Sequence, residues 1–418
     1  MSDHPVPRME TGTHAGSDLG SGFRRIWLAA GISNLGDGIV LTAMPLLVVS
    51  LTRDPVLVAV AYASLYLPWL LFALPSGALV DRVDRRWAMV STDLARAAIL
   101  GVLALLVVAG RTDVALVCVF SFALSSAETV FDPASEAIVP LVVPVQALPS
   151  ANARLQGTTA ALNNFVGPPL GAALFAAVAA APFVLDAASF VASALIVLTL
   201  SGSYRAPAVD ATQPVVTGIR DGLRWLFRHP VLRYTTPLAG LMSGAGYAVL
   251  AILVLFSQDV LGLGDLGYGA LMGAFGVGAL AGAFTAGRVI AAISPTWALR
   301  LPSWIMALSL LASGLVPEPG VAGVALAASG FAVSLWNVAH VSLRQQLVPD
   351  ELRGRVAGCN NLVAWGSRPI GAALGGVAAA ALGLRAPFVL AALLLAGGGI
   401  VALLRISSSA IADASGPG

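Results

Sequence analysis

Asp37, Asp93, Arg96, Glu128, Asp132, Glu136, Asp186 and Arg368 each interrupt a long apolar run of the sequence. A charge in such surroundings is costly unless it is paired or wetted, so each marks a place where chemistry or a specific contact holds it. Asp37 stands about eleven residues into its apolar run and Glu128 about twelve from one end of its own, so at ~1.5 Å per residue both lie near mid-depth. Burial favours the neutral form of a carboxylic acid and brings its proton exchange towards neutral pH. Asp37 and Glu128 are therefore candidates for proton coupling or for binding a cationic substrate, with pairing to polar helices as the alternative. Asp132 and Glu136 continue the Glu128 face at i+4 and i+8. Asp132, placed before Pro133, suits either role. Asp93, Arg96 and Glu136 read as a structural ion-pair cluster joining two helices. Arg368 is expected to neutralise Asp37 or Glu128, to bind an anionic substrate, or to hold a static pair. Asp186 is expected to make a structural hydrogen bond. Asn163, Asn164, Trp336, Asn337 and His340 are candidate cavity residues, with packing as the competing role.

The elements that position these groups must be membrane helices. Of 418 residues, 58% are hydrophobic and 11% charged, and the mean hydropathy is +0.87, outside the range of ordinary soluble domains. Runs long enough to cross a bilayer recur at 25–51, 55–80, 87–109, 112–139, 152–179, 182–201, 231–257, 267–291, 297–316, 320–343, 356–382 and 385–405. The expected fold is an all-α membrane protein of twelve transmembrane helices. The polar segment 1–22 reads as a disordered cytosolic tail and not a signal peptide, and 406–418 as a second cytosolic tail. The chain has no lysine, and its arginines cluster on one side of the expected spans, including Arg24, Arg25, Arg82, Arg85, Arg86, Arg220, Arg224, Arg228, Arg353 and Arg355. The positive-inside rule then places both termini in the cytosol of a multi-pass protein of the cell membrane. Cys118 and Cys359 fall inside spans and give neither a disulfide framework nor metal spacing.

The longest charged break, 202–230, divides the chain into bundles at 23–201 and 231–405. Within it Ile219, Leu223, Leu226 and Phe227 share one helical face and Arg220, Arg224 and Arg228 another, the pattern of an amphipathic helix on a membrane surface. The halves echo each other: "PPLGAAL" (168–174) returns as "RPIGAAL" (368–374), and "APFVL" occurs at 181–185 and 386–390. A six-plus-six repeat is expected of transporters in which two bundles rock around a central site.

Between the second and third spans the chain reads "PSGALVDRVDRRWAMV" (75–90). Gly77 permits close helix packing there, and Asp81 can pair with Arg82, Arg85 or Arg86, or cap a neighbouring helix, in one conformational state and not the other. The spacing of Gly77, Leu79, Asp81, Arg82, Arg85 and Arg86 resembles the signature loop of the major facilitator superfamily, with Asp84 where many members have glycine. A degenerate counterpart, "GAFTAGR", follows at 282–288. The stretches 131–153 and 348–358 resemble the branch that contains macrolide, multidrug and siderophore exporters. Gly167, Pro168 and Gly171 resemble the helix 5 motif of drug–proton antiporters, with Ala172 in place of its last glycine. The resemblance implies two pseudo-symmetric six-helix bundles in which helices 1 and 4 line the cavity, and helix 5 packs against the opposite half. It implies export of a small amphipathic compound, such as an antibiotic, siderophore or other natural product, by proton antiport. A lipid flippase on the same fold is the alternative. No cofactor, metal or nucleic-acid partner is implied, and a monomer in the lipid bilayer is expected. The four histidines lack ligand spacing and there is no Gly-rich phosphate loop with lysine, which argues against an embedded enzyme or direct ATP coupling.

Overall fold

The computed structural model describes residues 19–202, 204–205, 215–349 and 352–406. The expected tails, apart from 19–22 and 406, and the linker stretch 206–214 lie outside them. The helices are α1 (Gly20–Leu51), α2 (Pro55–Ser64), α3 (Leu67–Val80), α4 (Arg85–Val108), α5 (Val114–Val142), α6 (Leu148–Ala161), α7 (Gly167–Ala177) and α8 (Ala181–Leu198). After α9 (Val215–Arg228) follow α10 (Leu232–Leu250), the short α11 (Leu253–Leu255), α12 (Asp265–Ile293), α13 (Pro295–Leu315), α14 (Pro319–Leu347), α15 (Arg353–Leu382) and α16 (Ala386–Arg405). Among the described residues, nine helical spans are long and apolar enough to cross a membrane, or ten with α10 and the segment after its 42° bend taken together. The expectation of twelve counts in addition 152–179, which falls on α6 and α7, and 356–382, which falls on α15, where Asn, Arg and Gly residues dilute the apolar run. Leu105, Val108, Phe284, Val324 and Leu404 are each at least 70% exposed. On a soluble protein so much bare hydrocarbon is a liability, whereas in lipid it is the ordinary outer surface.

Helix ends follow from local chemistry. Asp54, Asp84 and Asp113 stand before α2, α4 and α5 and accept bonds from the backbone N–H of Val56, Arg86 and Leu116 at 2.7, 3.0 and 2.8 Å. The crossing 55–80 breaks at Leu65 and Tyr66, because Pro68 has no N–H with which to continue the ladder. At the other end α1 starts earlier than expected. Leu19 and Phe23 are buried against Val139, Val143 and Ala151, so residues 19–22 belong to the folded body and not to a tail.

The internal repeat is a repeat of packing. A Cβ at Gly171 would strike the Ile39 backbone of α1, and one at Gly371 the Gly244 backbone of α10. Phe183 and Phe388, from the two "APFVL" copies, are both buried. The first six crossings meet the last six along two seams, α2 with α15 and α7 with α12. In the first, Gly376 admits Ala59 and the Pro55 carbonyl; in the second, Gly269 admits Ala172, and Gly276 the Asn164 carbonyl. Small residues let these backbones approach closely, which is the means of helix association in lipid. α2 and α7 are the parts of their crossings remote from the side where α1 begins, so the seams seal the far side. There Arg53 pairs with Asp259 at 3.1 Å and donates to Gln258 at 2.8 Å. Both ion-pair partners are about half exposed, so the pair adds ~0.2–1 kcal/mol and packing carries the seal. α9 docks where α10 and α15 begin, with Gly222 against Cys359 and Leu226 buried, while Phe227 is half exposed and not on the buried face. The Ile219 side chain lies outside the described residues.

Candidate functional site

Asp37 on α1 and Glu128 and Asp132 on α5 line one cavity of about 280 Å3, with Asn163, Asn164, Arg96 and Arg368 also on its walls. The i,i+4 spacing of Glu128 and Asp132 puts both on the face that looks inward. Arg96 on α4 organises the cavity floor. Its Nη2 donates to Asp93 at 2.7 Å, its Nη1 lies 3.7 Å from Asp37, and its guanidinium is sandwiched over the rings of Phe131 and Phe190 at 4.4 and 4.0 Å. Arg96 and Asp93 are sealed from solvent, whereas the Asp37 side chain is 24% exposed and receives a long bond from Ser33 at 3.4 Å. Arg96 thus has one permanent partner and one partner open to the cavity.

Two expectations change here. Glu136 is exposed and makes no ion pair among the described residues, because the buried face of its turn of α5 is the one that carries Ala134 and Ile138. Arg368 makes no ion pair with Asp37 or Glu128 among the described residues. Its guanidinium lies instead over the rings of Trp365, Tyr247 and Tyr66 at 4.8, 4.9 and 5.7 Å. Asp186 does accept the expected bond, from Ser189 at 2.8 Å, and its other oxygen has no partner among the described residues.

A second cavity of about 500 Å3 adjoins the first across a shared wall of Tyr66, Asn164, Tyr247, Trp365 and Arg368. Trp336, Asn337, His340 and Pro168 line it, as do Arg344, Asn360 and Asn361 near the α14 and α15 ends on the side where α1 begins. The shared wall is aromatic across the two halves, with Tyr66 edge-on to Tyr247 at 4.6 Å and Trp69 to Trp365 at 4.4 Å. Trp336 stacks on His340 at 5.0 Å. Sealed at the far side and lined at the near side by helix ends, the cavities have the shape of a binding chamber approached from the side where α1 begins.

The remaining expected residues lie elsewhere. The kink before the helix 5 motif is a π-helical turn, Leu162–Val166, that carries Asn163 and Asn164. Gly167 and Gly171 face α1 of their own half, against Gly38 and Ile39, and it is Pro168, Pro169 and Ala172 that meet α12 of the other half. Within the signature loop, Gly77 has no atom within 4 Å of where a Cβ would stand, so it makes no close approach in this state. Asp81 and Arg82 are exposed, and Asp81 makes no ion pair among the described residues. The capping role falls to Asp84, which accepts from the Tyr204 N–H at 3.0 Å as well as from Arg86. Arg85 is buried, with its N–H donating to the Tyr204 carbonyl at 3.4 Å, and the Arg86 side chain donates to the Leu198 carbonyl. This loop is thus fastened to the end of its own half. The later counterpart, 282–288, is interior to α12, where Gly282 packs on α14. The Arg96–Asp93 pair was read from the sequence, whereas the reach of Arg96 to Asp37, the cavity position of Arg344 and the capping role of Asp84 were not. Only for Arg96 was there a signal, a cation beside an acid inside an apolar run.

Residues 19–415 match the family model described as "Transmembrane secretion effector". The chain is 28% identical over 387 residues to the multidrug efflux pump Tap of Mycolicibacterium fortuitum, covering 87% of this chain and 90% of that protein. It is 23% identical over 386 residues to macrolide efflux protein A of Streptococcus pyogenes, covering 89% and 93%. Among solved structures, a bacterial homologue of the lysosomal transporter Spinster, inward-facing and unoccupied, superposes with a TM-score of 0.74 at 13% identity, over 95% of this chain and 98% of that one. The nucleoside transporter NupG superposes with a TM-score of 0.70 at 13% identity, over 92% and 99%. The match along nearly the whole length, on the fold these structures share, makes the chain a member of the transmembrane secretion effector family of major facilitator superfamily transporters, a multi-pass membrane protein and not an enzyme.

Proposed function

We propose that this protein exports a small amphipathic compound from the cytosol by proton antiport, its bundles 23–201 and 231–405 rocking around the two central cavities. The observation that carries this reading is the meeting of Asp37, Glu128 and Asp132 in one cavity beside Arg96. A proton arriving on Asp37 cancels its attraction for Arg96, which keeps Asp93 and so stays charged and held. The cavity-facing acid can therefore load and unload protons without stranding a bare cation in lipid. The excess of arginine on one side supports cytosolic termini, so that the chamber of this state is open to the cytosol. Kinship with two efflux proteins supports the outward direction.

The test is substrate-induced proton movement in proteoliposomes that contain the purified protein. A pH-sensitive dye reports protons while anionic, neutral and cationic amphiphiles are added in turn. At least one class is expected to drive proton flux, and Asp37→Asn or Glu128→Gln to abolish pH-driven accumulation while binding persists. If both neutral variants still concentrate substrate against its gradient, coupling lies elsewhere. Accumulation indifferent to the pH gradient favours a flippase and sinks the antiport reading.

A further inference from the structure

The two cavities differ in their ionisable groups. The smaller holds the three acids beside Arg96, the larger carries Arg344 and His340 with no Asp or Glu on its walls among the described residues, and Arg368 stands on the wall they share. Buried polar atoms are normally paired, yet Nε and Nη1 of Arg344, Nε of Arg368 and Nε2 of His340 are buried atoms with no hydrogen-bond partner among the described residues. His340 is only 3% exposed. The rings of Trp365, Tyr247 and Tyr66 take up the environment of the Arg368 guanidinium without supplying an acceptor. Aromatic rings attract a guanidinium through their π faces but give it no anionic acceptor, so its N–H groups can still bind one. The walls supply amide groups at Asn337, Asn360 and Asn361 and apolar surface at Met242, Met272 and Phe275. A cationic drug would meet unpaired guanidinium groups here. A carboxylate would satisfy them.

From this geometry we infer that the larger cavity is a binding site for an amphipathic anion: a compound with an aromatic or otherwise apolar body and a carboxylate attracted by the positive field of Arg344 and Arg368. The inference rests on the transport reading and narrows it to a substrate class. About 500 Å3 accommodates a compound of several rings, and charge-assisted N–H···O bonds in a low-dielectric chamber supply the selectivity. It also separates the two ligands of the cycle, with the anion in the larger cavity and protons on the acids of the smaller.

Three dansyl compounds with one fluorophore and different charge make the test: dansylglycine, dansylglycinamide and N-dansyl-ethylenediamine. Each is titrated against the purified full-length protein in lipid nanodiscs, with dansyl emission as the readout. Dansylglycine is expected to bind roughly tenfold or more tighter than the amide and the amine, as one good charge-assisted contact allows. Arg344→Gln and Arg368→Gln should each erase that preference while leaving amide binding within about twofold, and Arg344→Lys should restore part of it, which a merely structural role would not. Equal or tighter binding of the amine, no binding of dansylglycine, or a uniform loss for all three compounds in the glutamine variants overturns the proposal. Proton flux driven by a cationic amphiphile would leave antiport standing and overturn this inference alone.

Discussion

Asp37 and Asp93 both contact Arg96, but the structure predicts opposite consequences for their neutralisation. Asp93 lies 2.7 Å from the guanidinium with no solvent exposure, and Asp37 lies 3.7 Å away with a quarter of its side chain exposed. At an effective dielectric of about 20 the Coulomb attractions are about 6 and about 4.5 kcal/mol, and water at Asp37 pushes its local dielectric towards ~40, halving the second to about 2 kcal/mol. Desolvation offsets much of what remains, so Asp37→Asn should lower stability by ~1 kcal/mol or less. Asp93→Asn leaves a sealed arginine with only a distant, wetted partner and should cost about 3–5 kcal/mol. Thermal unfolding of the purified variants, followed by the fraction that stays monodisperse after heating, gives the first readout; pH-driven transport by the surviving protein gives the second. Asp37→Asn should be stable and uncoupled, with passive exchange intact because the amide mimics the proton-loaded acid. Asp93→Asn should be unstable, yet coupled where it folds. A pair of variants equally unstable, or a coupled Asp37→Asn, would refute the division of labour between the two carboxylates.

Gly276→Val would drive a side chain into the Asn164 carbonyl across the α7–α12 seam and should open the far side, so disulfide formation between cysteines placed at Arg53 and Asp259 should fall severalfold relative to the same pair with Gly276 intact; undiminished cross-linking would mean that the seam yields. Asp81→Asn should slow turnover far more than it weakens substrate binding, since Asp81 is free of ion pairs to described residues here and would act in the opposite state; normal transport at normal expression removes it from the gate. His229, between α9 and α10, accepts the Val231 and Leu232 N–H groups at 3.3 Å each through Nδ1, and burial holds its imidazole below the usual histidine range. The undocked segment then takes up the proton first as pH falls through about 6.5, so the corner is stable above that pH and loosens below it. Protection of the Val231 and Leu232 amides, taken relative to the intrinsic exchange rate at each pH, should accordingly fall between about pH 7.5 and about pH 5.5, and His229→Asn, which keeps an acceptor without titrating, should flatten the dependence.

The parts legible in the sequence were those that lipid imposes residue by residue. Apolar runs located the helices because each must satisfy its backbone internally, and "PPLGAAL" and "RPIGAAL" announced a shared packing because only glycine admits the Ile39 and Gly244 backbones. The meeting of Asp37, Glu128 and Asp132 was foreseeable from depth and helical spacing once the family resemblance had put helices 1 and 4 on the cavity. Partner choice was not. Arg368 sits among the rings of Trp365, Tyr247 and Tyr66, which come from three different helical segments, and no local pattern distinguishes that box from an ion pair with Asp37. The signature loop misled for a related reason. Its residues are proposed to serve two conformations, and in this one Gly77 faces open space while Asp84, the departure from the family pattern, caps α4 and ties it to Tyr204. A residue suited to the state not seen looks idle, and one that anchors its own half looks like a deviation. The same reasoning applies to the unpaired nitrogens of Arg344 and Arg368. The chain supplies no acceptor for these nitrogens among the described residues. Because no acid among those residues lines the larger cavity, an anion that enters it meets the two arginines without having to displace a carboxylate of the protein.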